Sequence, residues 1–302
     1  MKRRVVISEF MDQPAVERLA GRHEVDYRPR LVDEPAALAA ALPGAIAWIV
    51  RNRTAVRGEL LAAATDVRVI GRLGVGLDNI DVDACAARGI EVIPATGANA
   101  ESVAEYVVSA AMVLLRNAFF STRAVEAGTW PRQTLSQGRE AAGKVMGIVG
   151  YGNIGQLTAR KAEALGMRVM SYDPQVAGAT TRDLDALLAA SDVVSLHIPL
   201  TPQTRGLLGA ERLARMKRDA VLINTARGGI VDEAALAAML REGRLGGAAL
   251  DVFDSEPLAA GSALAGAPRL LLTPHIAGVS VESNERVSAL IADRVAEALD
   301  RL

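Results

Sequence analysis

The 302-residue chain is poor in the residues that staple, ligate or anchor a protein. It has one cysteine, Cys85, so it cannot form an intramolecular disulfide. That fits a reducing compartment. It has three histidines and 3% aromatic residues, so its core must be largely aliphatic. Lys and Arg number 34 against 35 Asp and Glu, a net charge of −1. The basic excess of a nucleic-acid surface is therefore missing. No apolar run suits a bilayer. The best, Val107 to Leu115, follows Glu105 and is about half the length that a membrane helix needs. Lys2-Arg3-Arg4 and Val5-Val6-Ile7 start like a signal peptide, but Ser8 and Glu9 end the apolar stretch too early. A cytoplasmic protein is expected, with no membrane or nucleic-acid partner and no metal site.

What is present is alanine-rich and apolar, 50% hydrophobic in all. A chain this long supports about two domains and buries a core without staples. Short apolar runs alternate with helical stretches. Val5–Ile7, Ala45–Val50, Val67–Ile70 and Ile90–Ile93 read as buried strands, with helices such as Glu34–Leu42 and Glu59–Ala64 between them. The same rhythm resumes at Val145–Val149, Arg168–Ser171, Val193–Leu196, Ala220–Ile223, Gly247–Leu250 and Leu270–Leu272. Strands separated by helices predict parallel βα units. Ala100–Arg116 reads as one long helix, with Asn99 as its cap and Ser102 and Glu105 as a capping box. A polar stretch follows to Gly143, and a last helix runs from Ser280 to about Leu299. Two doubly wound α/β domains are expected. They join near Gly97–Asn99 and again near Ala277–Ser280.

Gly150-Tyr151-Gly152-Asn153-Ile154-Gly155 matches G-x-G-x-x-G. It follows a predicted strand and opens a predicted helix, the context that a dinucleotide fingerprint requires. Gly150 allows the tight turn, Gly152 lets the backbone approach a pyrophosphate, and Gly155 lets helix and strand pack closely. Asp173 stands 18 residues beyond Gly155, at the end of the next strand. A carboxylate there accepts from a ribose 2′-hydroxyl and repels a 2′-phosphate, favouring NAD over NADP.

Of the histidines, His23 lies in a polar connection and is expected to be solvated. His197 follows a strand of the second series, and His275 lies in Thr273-Pro274-His275-Ile276-Ala277-Gly278. Arg227, Asp251 and Glu256 recur at matching strand ends. These segments, with Gly71–Asp81 and Leu196–Thr201, resemble the D-2-hydroxyacid dehydrogenases of the phosphoglycerate dehydrogenase type over nearly the whole chain. The resemblance implies a flavodoxin-like substrate domain over residues 1–98 plus 280–302, completed by the C-terminal helix, and a Rossmann NAD-binding domain over 99–279. It makes Arg227, Glu256 and His275 the catalytic residues. It also implies cofactor contacts from Asn153, Ile154, His197, Pro199, Thr225 and Ala226, with Asp251 facing the nicotinamide carboxamide. The backbone of Gly74, Val75 and Gly76 becomes a carboxylate-binding loop.

The residue chemistry agrees. Oxidising a 2-hydroxy acid removes a hydroxyl proton and a carbon-bound hydride. Histidine can take or return that proton near neutrality. A carboxylate beside it orients the ring and favours the imidazolium. An arginine binds a carboxylate bidentately.

Arg51-Asn52-Arg53-Thr54 stands where the family borders its substrate cleft. Asn52 replaces the serine usual in phosphoglycerate enzymes. Arg51 and Arg53 suit a second anionic group, such as a sulfonate, phosphate or carboxylate; the alternative is that they face solvent. Ile7–Asp12, Arg51–Thr54 and Ala95–Asn99 resemble the sulfolactate dehydrogenase branch. There the label (S) accords with a D-type hand, because sulfur outranks the carboxylate in the priority rules. Three alternatives remain: a broad glyoxylate or hydroxypyruvate reductase, a formate dehydrogenase, and a non-catalytic NAD(H)-sensing module. Formate enzymes pair the histidine with glutamine, so Glu256 argues against that reading. The helix from Ala100 and the segment to Gly143 resemble the family's dimerisation region, which implies a homodimer. With the sequence stopping after its closing helix, no regulatory domain is expected.

Overall fold

The computed structural model describes residues 2–117 and 121–302. The chain divides into two compact units: residues 1–99 with 279–302, and residues 100–278.

In the first unit, strands β1 (Arg4–Ile7), β2 (Glu24–Tyr27), β3 (Ala47–Val50), β4 (Val69–Arg72) and β5 (Glu91–Pro94) form one sheet. Its order is β2-β1-β3-β4-β5, and every pairing is parallel. This is the flavodoxin-like winding that was expected. Strands buried on both faces read as unbroken apolar runs. Val6, Trp48, Val50 and Ile70 pack towards helices α2 (Pro35–Ala41), α3 (Gly58–Ala63) and α4 (Val82–Ala87). Val5, Ile7, Ile49 and Val69 pack on the other face, towards α1 (Gln13–Arg22). The C-terminal helix of the chain (Val281–Arg301) covers that second face with Val287, Ile291, Val295 and Leu299. Gly71 makes its approach possible. A Cβ there would stand 2.8 Å from side-chain carbons of both Ile291 and Val295.

Strand β2 escaped the sequence reading. Its residues are Glu-Val-Asp-Tyr, it lies at the sheet edge, and none of it is fully buried, so no apolar run marks it. His23, just before β2, is a correction. It is 6% exposed rather than solvated. Both ring nitrogens are buried without a partner, and burial followed by the Arg22 charge pushes its pKa down. The polar neighbours that suggested exposure turn outward, while the imidazole turns inward.

The second unit opens with α5 (Ala100–Arg116), followed by short helices α6 (Thr122–Glu126) and α7 (Arg132–Leu135). Then β6 (Val145–Val149), α8 (Asn153–Ala164), β7 (Arg168–Tyr172), α9 (Leu184–Ala190), β8 (Val193–Leu196) and α10 (Ala210–Leu213) follow. The unit closes with β9 (Val221–Asn224), α11 (Glu233–Arg241), β10 (Gly247–Leu250) and β11 (Leu270–Leu272), and the C-terminal helix above is α12. The parallel order β11-β10-β9-β8-β6-β7 reverses direction between β6 and β8. Such a switch point is where ligands bind to open α/β sheets. The start of α5 differs from expectation. Asn99 Oδ1 is buried with no partner, and the Ser102 hydroxyl donates to the Ala277 carbonyl at 3.0 Å instead of capping the helix.

Candidate active site

Gly150 and His197 follow β6 and β8, at the switch point of the second unit. The His197 amide donates to the Val149 carbonyl at 2.7 Å. Gly150 has φ 98°, and a Cβ there would lie 2.5 Å from the His197 carbonyl oxygen. Only glycine takes that conformation at that distance without strain. Gly155 is the third residue of α8, where a Cβ would meet the Gly150 oxygen at 2.1 Å. At Gly152, by contrast, no atom lies within 4 Å of the place where a Cβ would stand. Gly152 also precedes α8 without any side-chain cap, and Asn153 and Ile154 form its first turn. Helix N-termini carry unsatisfied N–H groups and partial positive charge. The turn is therefore open to a phosphate.

Asp173 closes the fingerprint from β7. Its Oδ2 accepts from the Tyr151 amide at 2.9 Å, and Oδ1 accepts from Gln175 at 2.8 Å and Val176 at 3.2 Å. Burial pushes its pKa up, but these amides and the Arg182 charge outweigh that and hold it below the usual range. It is an anion at neutral pH. His197 is the opposite case: burial pushes it down to about 4, so it is neutral, and its Nε2 lies 3.0 Å from the Ser195 hydroxyl. Pro199 follows on the same loop and is exposed, and Ala226 is half-buried after β9. The Thr225 hydroxyl is buried without a partner, an orphan that a bound ligand would satisfy. Open Gly152, uncapped α8 and orphaned Thr225 together fit a dinucleotide.

Three loops beyond β9, β10 and β11 carry Arg227, Glu256 and His275. His275 Nδ1 lies 2.8 Å from Glu256 Oε2, and Glu256 Oε1 accepts from the Phe253 amide at 3.1 Å. The carboxylate is thus fixed from behind and holds the ring in front. Asn224 shapes the arginine loop: its amide donates to the Arg227 carbonyl at 2.9 Å, and its oxygen accepts from the Ala226 amide at 3.0 Å. Gly228 presses that loop onto the next, since a Cβ there would stand 1.8 Å from the Phe253 oxygen. Asp254 adds a tie, accepting from the Gly229 amide at 2.6 Å.

His275 has φ 56°, a left-handed conformation that is costly for a side chain with a Cβ. Asp251 holds it there. The Asp251 carbonyl accepts from the His275 amide at 2.8 Å. Its carboxylate accepts from the Thr273 hydroxyl at 2.6 Å and from the amides of Ile276 and Ala277 at 2.8 Å each. Asp251 is 1% exposed, so its carboxylate faces the histidine loop rather than open space. Tyr106 on α5 extends the chain of bonds, with its hydroxyl 2.6 Å from that of Thr273. Thr273 donates to Asp251, so Tyr106 must donate to Thr273. Tyr106 carried no motif and Thr273 only opened the segment around His275; their packing reveals the part they play.

The expected substrate residues belong to the first unit. Gly74, Val75 and Gly76 follow β4 above a buried guanidinium that the sequence reading did not single out. Arg72 Nε donates to the Gly76 carbonyl at 2.9 Å and Nη1 to the Leu73 carbonyl at 2.8 Å. A Cβ on Gly74 would fall 2.0 Å from Arg72 Nη1. Arg51 and Arg53 follow β3 and line a pocket of about 320 Å³ with Phe10, Asn52 and Asn284. The two arginines differ. Arg51 is half-buried, 5.8 Å over the Phe10 ring, and Nη2 donates to Asn284 Oδ1 at 2.8 Å. The Arg53 side chain is 60% exposed and pairs with Asp33.

With this geometry in place, the relatives are decisive. Residues 108–277 match the family described as D-isomer specific 2-hydroxyacid dehydrogenase, NAD binding domain. The chain belongs to this family. It is an NAD-dependent 2-hydroxyacid dehydrogenase. It is 53% identical to the (S)-sulfolactate dehydrogenase of Chromohalobacter salexigens, over 98% of each chain. It is 40% identical to the D-3-phosphoglycerate dehydrogenase of Mycobacterium leprae, but spans only 56% of that protein's length. The crystal structure of TT0316 protein from Thermus thermophilus superposes with a TM-score of 0.90 at 35% identity, over 98% of this chain and 97% of that one. No described helix of this dehydrogenase is long and apolar enough to cross a membrane.

Proposed function

We propose that this dehydrogenase oxidises a D-type 2-hydroxy acid with a second anionic group, 3-sulfolactate foremost, or reduces the corresponding 2-oxo acid. The observation that carries the substrate is Arg51, a half-buried guanidinium held by Asn284 in a pocket. The 53% identity to a sulfolactate dehydrogenase supports it.

His275 is the acid–base residue. Its Nδ1–H donates to Glu256 Oε2, which leaves Nε2 with the lone pair that takes the substrate's hydroxyl proton. The carboxylate stabilises the imidazolium so formed. Arg227 binds the substrate carboxylate and polarises the reacting carbonyl. Bound NAD supplies the hydride acceptor. Gly150, Gly152, Asn153, Ile154 and Gly155 form the pyrophosphate turn, and Asp173 accepts from the ribose. His197, Pro199, Thr225 and Ala226 line the cofactor site. Asp251 acts through the loop that it holds. The backbone of Gly74, Val75 and Gly76 binds the substrate carboxylate, and Arg51 the second anion. Arg53, committed to Asp33, lends charge only.

Following NADH oxidation across 2-oxo acids tests the substrate. We expect kcat/KM for 3-sulfopyruvate to exceed that for glyoxylate by roughly 10- to 100-fold, the worth of one charge-assisted hydrogen bond. Equal, weak activity on small monoanions would make this a broad glyoxylate or hydroxypyruvate reductase.

A cytoplasmic homodimer completes the reading. Its interface would draw on α5 and the segment to Gly143, where Val125 and Trp130 are exposed; residues 118–120 of that segment lie outside those described. A monomer in sedimentation at micromolar concentration would refute the dimer, and recovery in the membrane fraction would refute the location.

A further inference from the structure

Glu9 has no assigned role, and its surroundings are unusual. It directly follows Ser8 at the end of β1 and is 3% exposed. Among the described residues, no cationic side chain neutralises it by a hydrogen bond. Instead, the loop after β3 wraps around it. Its Oε1 accepts from the amides of Arg51 at 2.8 Å and Thr54 at 3.0 Å, and from the Thr54 hydroxyl at 2.7 Å. Its Oε2 accepts from the Arg53 amide at 3.1 Å. Successive backbone N–H groups that converge on one point form an anion-binding concavity. Here the chain's own carboxylate fills it.

The opposite side of the loop is tied down too. The Asn79 amide donates to the carbonyls of Arg51 at 2.9 Å and Thr54 at 2.7 Å. Residues 51–54 are therefore fixed through both their donors and their acceptors. The loop lines the pocket with Arg51, Asn52 and Arg53; Arg53 is paired with Asp33, while the Arg51 guanidinium is held by Asn284 over Phe10. The sheet order adds an independent argument. Strand order in this unit reverses between β1 and β3, so Glu9 and Arg51 stand on the two loops at its switch point. That is where an open α/β sheet binds ligands.

We propose that Glu9 is a positioning residue for substrate selection: through the amides of Arg51, Arg53 and Thr54 it sets the place of the Arg51 guanidinium, and so the preference for a doubly anionic 2-oxo acid. This rests on the reading of Arg51 as the seat of the second anion. Glu9 lines the same pocket, but it is 3% exposed and both its carboxylate oxygens are taken up by the loop. Burial pushes the pKa of Arg51 down, and the Glu9 charge opposes that shift. Buried charge-assisted bonds also give a stiffer mount than solvent-exposed ones.

Glu9→Gln keeps the shape but puts an NH₂ group where one of the loop amides needs an acceptor. We expect its KM for 3-sulfopyruvate to rise roughly 10- to 100-fold, the effect of a displacement of about 1 Å. Its kcat with that substrate, and kcat/KM with glyoxylate, should stay within about threefold. Thr54→Val removes one of the four bonds with little change in volume. It should move the same KM in the same direction by about threefold, and it serves if Glu9→Gln does not fold. Unchanged KM in both variants, or parallel losses on 3-sulfopyruvate and glyoxylate, would overturn the proposal. Arg51→Ala separates the two ideas. If it leaves the preference for 3-sulfopyruvate intact, Arg51 is not the anion seat and the reading beneath the proposal fails. If it abolishes the preference while Glu9→Gln and Thr54→Val retain it, only the role of Glu9 fails.

Discussion

Each side chain proposed to react is set by a neighbour that the reaction does not consume. Glu256 orients His275, while Asp251 holds the histidine's left-handed backbone with its carbonyl and both carboxylate oxygens. His275→Ala should lower turnover by roughly 100-fold or more, the usual contribution of a general acid–base group. NADH affinity, followed by fluorescence titration, should change little; unaltered turnover would remove His275 from the mechanism. Asp251→Ala should cost stability as well as rate, because it strands the buried amide of Ala277 at about 1–3 kcal/mol. Chemical denaturation of the variant measures that loss. Two histidines carry a pH signature. Burial lowers the pKa of both His23 and His197, the latter to about 4. Their folded pKa values lie below the unfolded value of about 6.5, so the unfolded chain binds more protons between the two. Their contribution is complete above about pH 6.5 and is lost as the pH falls below it. Melting temperatures between pH 7.5 and 5 should fall less in His23→Phe than in the parent protein.

At the scale of elements, glycines decide how closely one piece of backbone can lie on another. Gly228 lets the Arg227 loop rest on the Phe253 carbonyl, and a Cβ would be 1.8 Å from that oxygen. Backbone cannot yield as a flexible side chain can. Gly228→Ala should therefore drive apart the loops of Arg227 and Glu256, with a large fall in kcat and a retained fold. Gly71→Ala tests a different contact. Its methyl would meet Ile291 and Val295 at 2.8 Å, so α12 must shift. Overpacking of this kind costs about 1–3 kcal/mol. Thermal unfolding should register the loss, and an unchanged midpoint would mean that the helix moves freely.

For the whole molecule, the cofactor is the handle. A ligand that binds only the folded state stabilises it by about 2.7 kcal/mol at 100 times its Kd. NADH should raise the melting temperature at concentrations where NADPH does not, because the Asp173 carboxylate is ionised beside the fingerprint turn. Asp173→Ala should narrow the gap between the two cofactors; a gap of the same width would mean that Asp173 does not sense the ribose.

By itself the sequence determined the alternation of strands and helices and the fingerprint turn, since these rest on local patterns, and its motifs together carried the resemblance to the family. Apolar runs such as Val145–Val149 read as strands because burial on both faces demands them, and glycines at 150, 152 and 155 mark a turn whose spacing is covalent. Tertiary structure alone decided what depends on partners distant in sequence. Strand β2 exists because β1 offers it an edge, not because Glu24–Tyr27 is apolar. His23 looked solvated among charged neighbours and is buried. Arg51 and Arg53 looked alike until Asp33 engaged one and Asn284 the other. Glu9 ended an apolar run inside the Ile7–Asp12 resemblance but gave no sign of its partners, because the amides that it binds lie more than 40 residues away. A carboxylate's role follows from the donors that reach it, and those are supplied by the fold.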